Sequence, residues 1–233
     1  MVLLNHLLIG MKSNKQENLV HLNERYHHLS HLERMERLFS EFEHDRILMT
    51  SSFGTTSAIL LDMISKVAPN HPVYLVNTGY LFEETLQYKE EIKQKLGLNI
   101  VEVGALENKH RFTQDNKTWK YQNDLCCFIN KVDPTDQLKK GKDIWISGLL
   151  RFQNANRHHL RIFEPRDELL KFHPIIDMTP EEVSLYHTIY ELPQNKLYYQ
   201  GYGSVGCTHC TEKGDQREGR WLNQGKIECG LHL

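Results

Sequence analysis

The sequence lacks the features of a membrane protein and of a general nucleic-acid binder. No apolar run reaches the 18 residues that suggest a membrane-spanning helix, and the mean hydropathy is -0.54. Lysine plus arginine number 28 against 30 aspartate plus glutamate, so the net charge of -2 excludes a strongly basic surface. Repeats, low-complexity segments and a linker are also missing. We therefore expect one soluble protein core with no membrane or nucleic-acid partner, in which local charge meets any anionic ligand.

The first ten residues are largely apolar, but no basic residue precedes that stretch and no small-residue cleavage site follows it. We therefore expect no secretory signal and a reducing, cytoplasmic environment. The 5 cysteines are accordingly interpreted as thiols, metal ligands or catalytic groups rather than as a disulfide framework.

Helical periodicity dominates the amino-terminal region. Apolar residues recur at helical spacing from Leu19 to Phe42, which predicts one amphipathic helix. It carries four histidines that we interpret as a solvated face rather than a metal patch, because no other ligand type lies beside them at a useful spacing: His21, His27, His28 and His31.

Short apolar runs then alternate with helical stretches. The runs are Ile47–Thr50, Val73–Val76, Ile100–Val103 and Ile144–Ser147, and the helical stretches are Thr56–Val67, Glu83–Leu96 and one capped by Thr179. This order predicts an α/β fold with a Rossmann-like parallel sheet covered on both faces. We divide the chain into an N-terminal helical segment (1–45), an α/β nucleotide-binding domain (46–200) and a C-terminal tail (201–233).

A hydroxyl-rich turn follows the first strand. It comprises Ser51, Ser52, Phe53, Gly54 and Thr55 and leads directly into a helix, whose N-terminus offers N–H groups and a positive dipole end to a phosphate or sulfate. The Gly-Lys-Ser/Thr ending of a Walker loop is missing, so a lysine-clamped triphosphate is not indicated. An ordinary capped turn is the alternative.

The end of the second strand adds Thr78 and Gly79 to this picture. Both predicted strands end at the same edge of a parallel sheet, where open α/β sheets bind ligands. We therefore expect a ligand pocket at that edge.

Two cysteine pairs suggest a metal centre. Cys126 and Cys127 are adjacent, and Cys207 and Cys210 form a C-x-x-C about eighty residues later. Four thiolates suit tetrahedral zinc or an iron–sulfur cluster, and adjacent ligands favour the cluster. Buried cysteines without a metal, or His209 as an alternative ligand, stay open.

The fifth thiol, Cys229, lies near the end of the sequence. A thiol on a mobile tail could move in and out of an active site, and nearby Arg217, Arg220, Lys226 and His232 could lower its pKa. An exposed cysteine without a role is the alternative. An arginine-rich segment follows the fourth predicted strand and is either a solvated face or a set of oxyanion donors: Arg151, Arg157, Arg161 and Arg166.

Together these motifs resemble the assimilatory sulfonucleotide reductases, the family of adenylyl-sulfate and phosphoadenylyl-sulfate reductases. The resemblance runs from about Arg46 to the C-terminus, and its most specific part is Glu-Cys-Gly-Leu-His around Cys229. It implies a fold of the PP-loop (adenine nucleotide alpha hydrolase-like) type. It also implies that Cys229 attacks the sulfur of adenylyl sulfate and expels AMP, after which thioredoxin or a similar dithiol releases sulfite.

The resemblance also implies a cofactor and its surroundings. The four paired cysteines match the branch that carries a [4Fe-4S] cluster and usually prefers adenylyl sulfate, and Lys131 matches a lysine between cluster and substrate. Arg217 and Arg220 match the motif that precedes the catalytic cysteine, while the oligomeric state is open and a homo-oligomer is compatible with the sequence. Four positions depart from the family pattern and leave phosphoadenylyl sulfate as an alternative substrate: Asn77, Leu150, Phe152 and Glu212.

Two other interpretations are compatible with some of these motifs. An ATP pyrophosphatase of the PP-loop type, adenylating a substrate such as tRNA, shares the hydroxyl-rich turn but does not need the segment around Cys229. An iron–sulfur or zinc redox sensor would use the cysteines but leave that turn without a role.

Overall fold

The computed structural model describes residues 15–222, 226 and 230–231, so Cys229 and His232 lie outside the described residues. A six-stranded sheet has the order β3-β2-β1-β4-β6-β5. Its strands are β1 (Ile47–Thr50), β2 (Val73–Val76), β3 (Ile100–Val103), β4 (Ile144–Ile146), β5 (Phe163–Arg166) and β6 (Leu169–Phe172). All neighbouring pairs are parallel except β5 with β6.

Helices cover this sheet. They are α1 (Lys15–His27), α2 (His31–Glu41), α3 (Ser57–Val67), α4 (Glu83–Leu96), α5 (Glu107–Asp115), α6 (Thr118–Tyr121), α7 (Asn123–Cys127), α8 (Asp133–Lys139) and α9 (Pro180–Ile189). A π-helical turn, Phe128–Val132, joins α7 to α8, and π-helical turns are frequent at functional sites. In the described part of the chain, no helix is both long and apolar enough to cross a membrane.

The α/β fold with a mostly parallel sheet is confirmed, and two details are corrected. The single helix expected from Leu19 to Phe42 is two helices, because Ser30 begins a new one: its hydroxyl accepts a hydrogen bond from the Glu33 N–H, and the Glu33 carboxylate accepts one from the Ser30 N–H. The sheet is not wholly parallel, since β5 and β6 form a hairpin that turns at Asp167, where φ is +53°.

The main core lies between the sheet and the helices on one of its faces. Ile47 and Met49 of β1 point into it, and the N-terminal helices contribute Tyr26, whose ring packs edge-on against Phe163 at 4.8 Å. The N-terminal segment thus shares this core, and the boundary at residue 45 stays a prediction.

Candidate active site

The hydroxyl-rich turn leaves β1 at the carboxyl edge of the sheet. Its backbone is held by its own side chains: the Phe53 N–H donates to Ser51 Oγ at 3.2 Å, and the Ser57 hydroxyl donates to the Gly54 carbonyl at 2.8 Å. Thr55 fixes the turn to a distant segment by donating to the Gly203 carbonyl at 3.1 Å. The N-terminus of α3 therefore faces the space above the strands.

That space is a cleft of about 180 Å³. Four of the five predicted turn residues line it, namely Ser51, Ser52, Gly54 and Thr55, whereas the Phe53 side chain is fully buried in the core. The remaining wall includes the ends of β1 and β2, the segment directly after β4, the π-helical turn and residues 204–206. We call this space the anion cleft, because of the charges described next.

Four cationic side chains line the anion cleft: Lys131, Arg157, Arg217 and Arg220. Among the described residues, no aspartate or glutamate lines it. The positive end of α3 adds to the same field. A chain with a net charge of -2 thus concentrates positive charge at one edge of its sheet, which suits an anionic ligand with several oxyanions.

The two arginines nearest the fourth strand have different surroundings. Arg157 is 5% exposed and donates to the Gln153 side-chain oxygen at 2.7 Å, while the Gln153 amide donates to Thr56 at 3.1 Å. Arg151 instead donates to the Leu160 carbonyl at 3.0 Å and is not among the residues that line the cleft. Of the two predicted substrate ligands, the structure brings Arg157 to the cleft.

The C-terminal arginines are positioned by a loop that needs glycine. Arg220 donates to the Val205 carbonyl at 3.3 Å and to the Cys210 carbonyl at 3.3 Å, and a Cβ atom at Gly206 would lie 2.2 Å from its guanidinium. The Arg217 guanidinium contacts the Ser204 hydroxyl at 3.5 Å. Because Gly206 has no side chain, the Arg220 guanidinium can lie directly against the backbone.

A second, smaller cavity lies beside the anion cleft and is lined by all four paired cysteines: Cys126, Cys127, Cys207 and Cys210. None of the four is in a disulfide. Burial raises the pKa of Cys126, and burial with the charge of the neighbouring thiolates raises that of Cys210 to about 12. Four thiols therefore converge on one space, which we call the cysteine cavity.

Backbone pairing explains how the distant cysteine pair reaches this place. Leu81 forms an antiparallel bridge with Cys207, and the Thr208 N–H donates to the Tyr80 carbonyl at 2.8 Å. The predicted residue Thr78 lies 3.2 Å from the Cys207 sulfur through its hydroxyl. The segment after β2 thus joins the C-x-x-C to the edge of the sheet.

A buried amide orders the other cysteine pair. Asn130 is 2% exposed, and its amide nitrogen donates to the Cys126 carbonyl at 3.0 Å and lies 3.6 Å from the Cys126 sulfur. The His110 ring contacts its oxygen at 2.8 Å. The predicted residue Gly79, with φ of +74°, leaves room for His110, whose ring would lie 2.4 Å from an added Cβ.

Aromatic rings close the cysteine cavity on another side. His209 stacks on Trp119 with ring centroids 4.3 Å apart and an angle of 10°, and Tyr80 contacts both rings at 5.2 Å. His209 is thus engaged in stacking next to the thiols. His209 also lines the cysteine cavity, so its role as an alternative ligand stays open.

The cysteine cavity offers four sulfur donors to a metal centre. Among the described residues, no group of three or more His, Cys, Asp or Glu is arranged to hold a single metal ion. Four thiols around one space are nevertheless the donor set of an iron–sulfur cluster, whose ligands bind different iron atoms. The donor set fits a cluster better than a single zinc ion, for which a tighter tetrahedron is needed.

Lys131 lines both spaces, as do Arg220 and Trp221. Lys131 thus lies in the wall between the anion cleft and the cysteine cavity, and its role there stays a prediction. Lys226, expected near the last cysteine, pairs with Asp124 of α7. Burial alone would lower the pKa of Lys226, but the hydrogen bond to Asp124 and the charge of Cys127 raise it.

Several residues that line the two spaces were not predicted from the sequence. Gln153, Ser147 and Ser204 line the anion cleft, and Asn130 and Trp119 line the cysteine cavity. Gln153 could have been predicted from its sequence position, because it lies between Arg151 and Arg157, which were already candidates. The others depend on contacts between distant segments, for which the sequence held no local pattern.

The comparisons with known proteins agree with this architecture. The model of the phosphoadenosine phosphosulfate reductase domain matches residues 46–213, and the chain belongs to that family. Adenosine 5'-phosphosulfate reductase of Halalkalibacterium halodurans is 36% identical over 81% of this chain and 85% of its own. The enzyme of the same name from Bacillus cereus is 34% identical over 93% of this chain and 96% of its own.

Among solved structures, a phosphoadenylyl-sulfate reductase from Candida auris, in complex with phosphate, superposes with a TM-score of 0.72. It is 27% identical and covers 84% of this chain and 97% of its own. The family and the PP-loop type of fold that the resemblance implied are thereby confirmed.

Proposed function

We propose that this chain is an adenylyl-sulfate reductase of sulfate assimilation, which reduces adenylyl sulfate to sulfite and AMP. One observation carries the proposal. The anion cleft lies at a helix N-terminus and is lined by four cationic side chains and, among the described residues, by no aspartate or glutamate, and it lies directly beside the four thiols of the cysteine cavity. The names of the relatives from H. halodurans and B. cereus support the same reaction.

The anion cleft binds the phosphosulfate. Arginine guanidinium groups donate two parallel hydrogen bonds to planar oxyanions, so Arg157, Arg217 and Arg220 are suited to the phosphate and sulfate oxygens. The N–H groups of the turn at Ser52 and Gly54 add donors without charge. Held at both oxyanions, the sulfur is presented in one orientation, which removes most of the entropic cost of the attack.

In the first step, the Cys229 thiolate attacks the sulfur of adenylyl sulfate. A sulfur–sulfur bond forms, the bond between sulfur and the bridging oxygen breaks, and AMP leaves with the electron pair. In the second step, thioredoxin or a similar dithiol attacks the Cys229 sulfur, releases sulfite and becomes oxidised to a disulfide as the Cys229 thiol is restored. Cationic side chains along the cleft stabilise the charge that develops on the leaving phosphate.

Cys126, Cys127, Cys207 and Cys210 would hold a [4Fe-4S] cluster in the cysteine cavity. When bound, such a cluster supplies a fixed local charge and ties the two cysteine-bearing segments together. Lys131 lines the wall between the two spaces, so its ammonium group couples the cysteine cavity electrostatically to the substrate. A reductase of this kind needs a reducing compartment, and we place it in the cytoplasm.

The test is sulfite release by anaerobically purified protein with thioredoxin, given adenylyl sulfate or its 3′-phosphorylated form. Sulfite from adenylyl sulfate is expected, and Cys229→Ser should abolish it while the iron content stays unchanged. Cys126→Ser is the complementary variant, which should lose iron. Sulfite from the phosphorylated form alone would overturn the substrate assignment, and ATP cleavage without sulfite would replace the reductase with an ATP pyrophosphatase.

A further inference from the structure

One side chain in the sheet does not fit its surroundings. The face of the sheet opposite the main core carries a small apolar cluster of Leu48, Trp145 and Leu169, one residue from each of three neighbouring strands. Lys171 of β6 lies on the same face, two residues from Leu169, and is 5% exposed. A buried ammonium group in an apolar cluster is costly unless it has partners.

Contacts with described residues compensate for this burial. The Lys171 Nζ lies 4.7 Å from the centroid of the Trp145 ring, a cation–π contact, and donates a hydrogen bond to the Leu231 carbonyl at 3.0 Å. The sheet therefore contacts the C-terminal segment through a charge-assisted hydrogen bond from Lys171 to a backbone carbonyl.

The Leu231 side chain strengthens this contact. It packs against the cluster around Trp145 on one side and against Cys210 and Trp221 on the other, and it also lines the anion cleft. Just before it, a Cβ atom at Gly230 would lie 3.3 Å from a Val132 methyl group, so the chain passes close to the end of the π-helical turn. Leu231 is thus fixed by its carbonyl and by its side chain.

We propose that Lys171 is a positioning residue that anchors the C-terminal segment at Leu231. Its consequence for the reaction rests on the proposed function: Cys229 is two residues from Leu231 in the sequence, so an anchor at Leu231 limits the distance of the thiol from the cleft through chain connectivity. Lys171 lies outside the residues that line the anion cleft. It acts through the tail and makes no contact with the phosphosulfate.

The chain offers a matched control. Lys139 of α8 places its Nζ 4.8 Å from the same Trp145 ring and pairs with Asp136 instead of with Leu231. Lys139→Met therefore removes a charge and a cation–π contact at the same tryptophan and leaves the anchor intact. Lys171→Met removes the anchor, and Lys171→Arg keeps a donor.

The first experiment needs no substrate. Brief acylation with an N-hydroxysuccinimide ester, followed by peptide mass spectrometry, compares lysine accessibility in the iron-loaded wild type and in Leu231→Ala. Acylation of Lys171 should become several-fold faster in Leu231→Ala, whereas that of Lys139 should not change. Equal acylation of Lys171 in both proteins would overturn the anchor.

The second experiment measures S-sulfonation of Cys229 in a single turnover without reductant, by intact-protein mass spectrometry. Lys171→Met and Leu231→Ala should slow it about 10- to 100-fold, while the affinity of Lys171→Met for AMP, measured by calorimetry, stays at the wild-type value. Lys139→Met should react like the wild type, and Lys171→Arg should recover part of the rate. If Lys171→Met does not fold, Leu231→Ala decides the question, because it leaves the sheet intact.

The two experiments separate the anchor from the proposed reaction. If the wild type is never sulfonated but Leu231→Ala makes Lys171 accessible, the proposed reductase activity is refuted and the anchor at Leu231 is supported. A sulfonation rate in Lys171→Met equal to that in Lys139→Met would refute the positioning role.

Discussion

Arg157 and Arg151 allow a sharp test of the anion cleft, because they belong to one arginine-rich segment and only their surroundings differ. Arg157 is 5% exposed, lines the cleft and is oriented by Gln153. Arg151 is turned away and bonds to the Leu160 carbonyl. Arg157→Met should weaken binding of adenylyl sulfate, and Arg151→Met should leave it unchanged.

The magnitude follows from the loss of a hydrogen bond between charged groups. Such a bond contributes about 1.5–3 kcal/mol. Since about 1.4 kcal/mol corresponds to a factor of ten in an equilibrium constant, Kd should rise about 10- to 150-fold. Arg157→Lys should recover part of that free energy, because an ammonium group still donates a charge-assisted hydrogen bond but cannot form two parallel ones.

The assay is calorimetric titration of adenylyl sulfate into each variant in a Cys229→Ser background, which prevents turnover. Thermal unfolding of the same proteins checks that Arg151→Met, which loses one hydrogen bond, is destabilised by no more than about 1 kcal/mol. Equal Kd values for Arg157→Met and Arg151→Met would refute the assignment of the cleft as the phosphosulfate site.

Three further predictions concern the support of the site. Arg34 is 2% exposed and donates to both carboxylate oxygens of Asp177, at 2.6 and 2.8 Å; Arg34→Met should lower the free energy of unfolding by about 3 kcal/mol. Burial alone would raise the pKa of Asp177, but hydrogen bonds from His31 and Arg34 hold it far below its usual range. The stabilisation by the ionised carboxylate decreases as the pH falls below the ordinary pKa of about 4, so the difference in free energy of unfolding between Arg34→Met and the wild type, measured by urea titration, should shrink there. Burial lowers the pKa of His173 to about 3. Below about pH 6.5 the unfolded chain therefore binds a proton at this histidine that the folded protein does not bind, which lowers the free energy of unfolding as the pH falls. His173→Leu should reduce this fall in the free energy of unfolding by up to about 1.4 kcal/mol per pH unit between pH 6 and 4. Gly79→Ala should displace His110, and the measured iron content of the purified protein should fall; unchanged iron would show that the contact between His110 and Asn130 does not support the cysteine cavity.

The strands of the parallel core could be predicted because each is a short, mostly apolar run; β1, β2 and β4 are largely buried, whereas the edge strand β3 is only partly buried and carries the exposed Glu102. Val73–Val76 and Ile100–Val103 end where the sequence indicated, and β4 ends one residue earlier. The hairpin of β5 and β6 could not be predicted in this way. Its strands mix charged residues such as Glu164 and Lys171 with apolar ones, and their pairing is decided by tertiary contacts.

The candidate site divides along the same line. Local sequence motifs predicted the turn after β1, the four paired cysteines and three of the four cleft cations. Lys131 was predicted from the resemblance to the family alone. The difference between Arg151 and Arg157 could not be read from the sequence, because both follow the same strand. It arises from two short 3₁₀ turns, at residues 151–153 and 155–157, which direct the two side chains differently.

The departures from the family pattern lie outside the cation set of the cleft. Leu150 is fully buried in the main core, Phe152 packs against that core, and the Glu212 side chain is exposed. The Asn77 oxygen accepts a hydrogen bond from the Gly79 N–H at 3.0 Å, as an aspartate could. Its amide also donates to Glu102 at 3.0 Å, whereas a second carboxylate there would be repelled.

Substrate preference then follows from charge balance. In the proposed site, the phosphosulfate of adenylyl sulfate would already place two anionic groups among the cleft cations Lys131, Arg157, Arg217 and Arg220. A 3′-phosphate adds close to two further negative charges at neutral pH. The described lining of the cleft offers no fifth lysine or arginine to meet them. The kcat/KM for adenylyl sulfate should therefore exceed that for the 3′-phosphorylated form, and the reverse order would mean that cations from outside the described residues complete the site.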